Sequence, residues 1–132
     1  MLASLWSPDL SLGNPSMDTS HSELLDKLAR LFDVSDADFP AHYAAMVARI
    51  ESDFREEEEL MEKIDFPGIH HHREQHCALL GSLHRAAGAV MQGDVELGRR
   101  TIAILPQWLM AHISTSDAGL AFALQFRHEE IF

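Results

Sequence analysis

Seven ionisable side chains stand where apolar helical stripes would otherwise continue: His21, Asp53, Glu57, His72, His76, His112 and Asp117. Residues four apart in a helix stack on one face, so His72 and His76 aim two imidazoles at one point. Asp53 and Glu57 do the same with two carboxylates. His112 continues the face of Leu105 and Leu109, whereas Asp117, five residues on, lies about 140° away around an ideal helix. Asp117 therefore needs a distorted turn or a helix end to converge with it. Buried carboxylates and imidazoles without partners are costly, and a buried metal pair would partner all seven.

Taken singly, each piece has a plainer explanation. A lone His-x-x-x-His pair arises in helices by chance, and Asp53 has Arg49 four residues earlier as an ion-pair partner. Glu56, Glu58 and Glu59 read as a solvated face, which leaves Glu57 on the stripe. His42, His70, His71, His84 and His128 fall off the converging faces and are expected at the surface. Cys77 adjoins His76, but neighbouring helical residues point about 100° apart, so it is expected to be a buried, inert thiol and not a ligand.

Four helices must position these groups. Residues 1–17 carry Trp6, Pro8, Gly13 and Pro15 without a helical stripe, so they are expected to form an extended arm over the body, anchored by Trp6. From residue 18 the pattern turns helical, with Asp18 or Ser20 as N-cap and His21, Leu24, Leu25, Leu28, Leu31 and Phe32 on one face. Pro40 opens a long second helix to about Ile64, with Tyr43, Met46, Ile50, Asp53, Glu57 and Ile64 in register. After the break at Asp65, Phe66, Pro67 and Gly68, a third stripe holds Ile69, His72, His76, Leu79, Leu83 and Val90. Gln92, Gly93 and Asp94 turn the chain into the fourth helix, which Pro106 should kink or interrupt. Short connections predict an all-α, antiparallel up-down-up-down four-helix bundle over residues 18–132, preceded by the arm at 1–17.

Composition narrows the function classes. The 132 residues are 46% hydrophobic with a formal charge of −11, which predicts a single domain with a real core and argues against nucleic acid and anionic membranes. Residues 1–12 hold no Lys or Arg, so a cleaved secretion signal is not expected and a cytoplasmic location is. One cysteine excludes an internal disulfide.

In their order along the chain these residues resemble the hemerythrin family, the bacterial hemerythrins in particular. The matching text is the early Trp6 and the arm leading to Met17, Asp18, Thr19, Ser20 and His21. It continues as Phe54-x-x-Glu57-Glu58-x-Leu60-Met61, then His72-x-x-x-His76, then Trp108-Leu109-x-x-His112-Ile113-x-x-x-Asp117. The resemblance implies a diiron centre of two non-haem iron ions with an oxo or hydroxo bridge. By it, one iron is held by His72, His76 and His112, and the other by His21 and a residue of the second helix, while Glu57 and Asp117 bridge the two. It also implies that Trp108, Leu109 and Ile113 line an apolar pocket for dioxygen.

The chain departs from the family pattern at Asp53, which stands where the family carries histidine. A carboxylate bound there would add negative charge and favour ferric over ferrous iron, whereas its shorter side chain would leave the second site under-occupied if it fell short. The expectation is a dioxygen-binding diiron protein with an altered second site, a binder and not an enzyme. The alternatives are a diiron oxidase or peroxidase, an iron-oxidising enzyme, or a single-metal interaction module; no protein partner is indicated.

Overall fold

The first helix, α1 (Pro15–Leu31), starts earlier than the stripe predicts because Asn14, not Asp18 or Ser20, is its N-cap. The Asn14 side chain accepts from the Met17 amide at 3.1 Å, and Pro15 fills the first turn, where its missing N–H costs nothing. Asp18 is thereby freed to hold the arm, accepting from the Leu12 amide at 2.8 Å and the Ser11 hydroxyl at 2.7 Å. The computed structural model describes residues 5–130. The first four residues of the expected arm and the side chain of His128 lie outside the described residues. Within the arm, a 3-10 turn (Pro8–Leu10) buries Leu10, and Trp6 packs partly buried on the core.

Helix α2 (Phe39–Lys63) opens with Pro40 in its first turn. It closes on a left-handed Asp65 at φ 51°, with the Phe66 amide donating to the Met61 carbonyl at 2.9 Å and the Asp65 amide to that of Glu62 at 3.2 Å. This pair of bonds satisfies carbonyls that a helix end would otherwise leave orphaned. Helix α3 (Ile69–Met91) ends at Gly93, whose φ of 103° suits only glycine. Asp94 then caps α4 (Val95–Ile102), accepting from the Leu97 amide at 3.1 Å.

The fourth leg of the bundle is segmented. Pro106 does not kink a continuous helix: α4 stops at Ile102 and α5 (Leu105–His112) begins with the proline in its first turn. A π-helical turn (Ile113–Asp117) follows, and α6 (Ala118–Glu130) completes the leg. Helix α2 packs against α1 and α3, and α3 against α4, which gives the antiparallel up-down-up-down bundle. Among the described residues no helix is long and apolar enough to cross a membrane.

Two apolar clusters fill the interior. The larger includes Leu25, Leu28, Phe39, Tyr43, Ile50, Leu83, Ile102 and Leu105, with the Tyr43 hydroxyl donating to the Leu83 carbonyl at 2.7 Å. Gly98 makes this packing possible, since a Cβ there would stand 2.6 Å from Cε1 of Phe39 and 2.7 Å from Cγ2 of Val90. The smaller cluster comprises Met17, Met61, Leu120 and Ala121. On every leg the ionisable residues fall between the two: His21 between Met17 and Leu24, Glu57 between Phe54 and Met61, His72 and His76 between Ile69 and Leu79, and Asp117 between Ile113 and Leu120. Apolar burial on both sides thus offsets the cost of one polar layer.

Candidate metal centre

That layer is closely drawn together. Glu57, His72, His76, His112 and Asp117 each offer one donor atom, and all five atoms lie within 4.8 Å of one another. Nε2 of His72 stands 3.0 Å from Oδ1 of Asp117 and 3.2 Å from Oε1 of Glu57, and Nε2 of His76 stands 3.1 Å from the same Glu57 oxygen. Nε2 of His112 lies 3.3 Å from Oδ1 of Asp117 and 3.2 Å from Nε2 of His76. His21 addresses the other oxygens, at 2.9 Å from Oδ2 of Asp117 and 3.8 Å from Oε2 of Glu57. Each carboxylate therefore turns one oxygen toward two histidines, His72 and His76 for Glu57 and His72 and His112 for Asp117, and the other toward His21.

The π-helical turn is what brings Asp117 in. Widening the helix to i→i+5 bonding, with the Ala118 amide reaching the Ile113 carbonyl, carries residue 117 back over residue 112. This is the distorted turn that the five-residue spacing demands.

The outward nitrogens of two histidines are already committed. Nδ1 of His76 donates to Oε2 of Glu58 at 2.8 Å, and Nδ1 of His112 donates to Oε1 of Gln75 at 2.8 Å. In the neutral imidazoles both Nε2 atoms then carry lone pairs, and they face each other at 3.2 Å beside two carboxylate oxygens. Lone pairs converge like this around a cation. Oδ1 of Asp117 and Nδ1 of His21 are moreover buried without a hydrogen bond. Donors held about 2.1 Å from one ion stand about 3.0 Å apart at right angles and about 3.4 Å apart at the tetrahedral angle, which brackets the 3.0–3.3 Å separations given above around His72, His76 and His112. The donor set of imidazole and carboxylate suits iron, zinc or manganese, so the residues present fit a metal.

Electrostatics point the same way. Burial disfavours the charged form of His21 and of His72, yet Asp117 and Glu57 beside them raise both to about 9. Burial likewise opposes ionised Glu57, but His21, His72 and His76 hold it below the usual carboxylate range. Against the same opposition His112, His21 and His72 hold Asp117 well below it. The metal-free cluster thus keeps its anions and borrows protons that a metal would displace.

Asp53 stands apart from this group. Its carboxylate is straddled by Nε of Arg49, 2.9 Å from each oxygen, so of its two readings the structure displays the ion pair. Burial, helped by Glu56 and Glu57, raises its pKa in spite of Arg49.

The residues flanking the ligands are better defined than the sequence suggests. Phe54 stacks on His76 with ring centroids 3.7 Å apart, and Trp108 stacks on His112 at 4.7 Å. Leu109 and Ile113 are buried in the larger apolar cluster. A cavity of about 340 Å³ reaches His72 along Phe66, Gly68, His71, Gln75, Thr115, Ser116 and Gly119, a lining that includes none of Trp108, Leu109 and Ile113.

Two expectations need correction. Glu58 is not simply part of a solvated face: it accepts from His76 and is in turn paired with Arg73. Cys77 is exposed, because the 100° step from inward-facing His76 carries it to the solvent side. His42, His70, His71 and His84 are exposed as expected. Gln75 and Ser116, whose hydroxyl also donates to Oε1 of Gln75, carry no mark in the sequence. Their partners lie on another leg of the bundle, so no spacing within one helix marks them.

Known proteins are similar to this chain in sequence. A family model described as the hemerythrin HHE cation binding domain matches residues 12–123. A bacteriohemerythrin of Ralstonia nicotianae is 36% identical over 112 residues, covering 85% of this chain and 82% of that protein. Bacteriohemerythrins from strains of Pseudomonas aeruginosa are 24% identical over 131 residues, covering 96% of this chain and 85% of theirs.

Proposed function

The chain belongs to the hemerythrin family, and from that premise we propose that it binds dioxygen at a centre of two non-haem irons whose second position is altered. The observation that carries a metal here is the approach of Nε2 of His76 to Nε2 of His112 while both Nδ1 atoms are engaged elsewhere. Support for two positions comes from the split of the carboxylates, one oxygen of Glu57 and of Asp117 toward His72, His76 and His112 and the other toward His21. In this reading His72, His76 and His112 hold one iron, His21 holds the other, and Glu57 and Asp117 serve both. Bound ferrous iron supplies the electrons that dioxygen binding requires.

The rest is the work of the chain. Phe54 and Trp108 fix the planes of His76 and His112, and Glu58 and Gln75 fix which nitrogen of each faces inward. Leu109 and Ile113, with Trp108, form the apolar wall of the dioxygen site and exclude water from it. The cavity along Gln75 and Ser116 is the route by which a small molecule reaches His72. The net negative charge supports a protein that works away from nucleic acid and anionic lipid.

Aerobic purification with iron quantification and a near-ultraviolet to visible spectrum tests this reading. About two irons per chain at saturating iron, charge-transfer bands of a coupled pair, and a spectral change on exposing the reduced protein to dioxygen are expected. Zinc in place of iron, or no response to dioxygen, would refute it. Sustained consumption of hydrogen peroxide with a reductant would make the chain an enzyme instead.

A further inference from the structure

Position 53 lies one helical turn before Glu57 on α2, where a side chain could complete the His21 half of the cluster. The Asp53 carboxylate is turned instead to Arg49, one turn earlier on the same helix. A single guanidinium N–H spans both carboxylate oxygens at 2.9 Å. The guanidinium is itself fixed from the neighbouring helix. Nη2 of Arg49 donates to the Ser20 carbonyl at 3.2 Å and to Oε2 of Glu23 at 3.3 Å, and Ser20 immediately precedes His21. Arg49 is therefore anchored to α1 beside His21, and it occupies the carboxylate that would otherwise be free to serve a metal there. The pair is largely withdrawn from solvent, with 20% of the Arg49 side chain and 13% of that of Asp53 exposed. Water therefore does little to loosen it.

We propose that Arg49 is a positioning residue that keeps Asp53 away from the His21 side of the cluster, so that the two metal positions differ in affinity and the second is exchangeable. This rests on the two-position reading given above. The position at His72, His76 and His112 has three imidazoles, two of them held by Nδ1 partners, and takes the first divalent ion. The position at His21 has one imidazole and the far oxygens of Glu57 and Asp117. A divalent ion arriving there meets a fixed positive charge nearby, and it must break the Arg49–Asp53 pair before it gains another anionic ligand. The same pair explains how a carboxylate can replace histidine at position 53 without adding an uncompensated buried charge: its partner is supplied by the protein in place of the metal. Removing Arg49 removes both obstacles, which gives the arrangement a test that does not depend on redox chemistry.

The test is anaerobic titration of the metal-free full chain with Co(II), followed by calorimetry and by metal analysis after gel filtration. The native chain should take one equivalent tightly and a second at least about tenfold more weakly, and Arg49→Ala should tighten the second by about tenfold or more while leaving the first little changed. Most of that gain should be lost in Arg49→Ala/Asp53→Asn, because it comes chiefly from the freed carboxylate and only in lesser part from the absent positive charge. Arg49→Gln, which keeps most of the aliphatic stem but removes the charge and the guanidinium that spans Asp53, should show the same gain and serves if the alanine variant does not fold. Two equivalents of like affinity in the native chain would overturn the proposal. So would a gain of equal size in the double variant, which would reduce Arg49 to a nearby charge. No tight equivalent in any variant would overturn the metal-centre reading itself, and this inference with it.

Discussion

Gln75→Leu probes how far this cluster depends on partners behind its ligands. In the native chain Oε1 of Gln75 accepts from Nδ1 of His112 at 2.8 Å and from the Ser116 hydroxyl at 2.5 Å. Leucine has a similar volume but no acceptor, so the change removes the hydrogen bonds and leaves most of the packing. Loss of the His112 bond costs about 1 kcal/mol, and the buried N–H left unpaired about 1–3 kcal/mol. Apolar burial by leucine returns about 1 kcal/mol. The Ser116 hydroxyl is half-buried and can turn to water. The metal-free protein should thus lose about 1–3 kcal/mol, read from guanidinium unfolding. Metal binding should suffer as well, because an unheld His112 ring can rotate or move its proton to Nε2. The expected weakening of the first Co(II) equivalent is about 10–100-fold, or about 1.4–2.7 kcal/mol by the usual conversion. Gln75→Glu restores an acceptor and should recover most of that affinity, which a purely structural role would not require. Native-like Co(II) affinity in Gln75→Leu, within about threefold, would show that the Nδ1 partner does not orient this ligand.

Other perturbations reach different parts of the molecule. In Gly98→Ala the new methyl meets Phe39 and Val90, both fully buried. Overpacking of about 1–3 kcal/mol should outweigh the roughly 1 kcal/mol gain in helix propensity, and an unchanged or raised thermal midpoint contradicts the close approach described here. His21 and His72 have folded values raised from 6.5 to about 9 in the metal-free chain. A raised value means that their contribution to stability is complete below the unfolded value and disappears as pH climbs through the folded one. The metal-free thermal midpoint should therefore fall between pH 6.5 and about 9. Metal loading near neutral pH should release protons, detectable as a buffer-dependent heat in calorimetry, and a heat independent of the buffer counts against these assignments. Asp53→His should oxidise more slowly in air than the native chain after anaerobic reduction, because an imidazole, which Arg49 cannot hold as an ion pair, would complete the His21 position that the paired Asp53 leaves short. Equal or faster oxidation, followed by visible absorption, defeats that account.

The elements and most of the centre were legible in the chain because both rest on local periodicity. The 3.6-residue stripes set out the helices, and the interruptions at His21, Glu57, His72, His76 and His112 mark the layer where the legs meet. Sequence also shows that Asp117 cannot converge by ordinary helix geometry. It does not show how the chain solves this, since a π-helical turn depends on packing across legs as well as on its own five residues. The start of α1 lies outside the stripe for a different reason: Asn14 and Pro15 form a good cap and first turn, but they precede the apolar residues whose periodicity points to Asp18.

What the sequence by itself determined is therefore the order of the candidate ligands along the chain, since each is fixed by its place in one helix. Tertiary structure decided which group stands behind each ligand. Glu58 on α2 serves His76 on α3, Gln75 on α3 serves His112 on α5, and Arg49 on α2 joins Asp53 to Ser20 on α1. Among these, only the step from Arg49 to Asp53 is a four-residue spacing that a sequence can display. Even there the choice between ion pair and metal ligand turned on where α1 places its carbonyl. Hydrogen bonds and ion pairs act over a few ångströms in space, and two residues on different helices come that close only once the bundle has set their register.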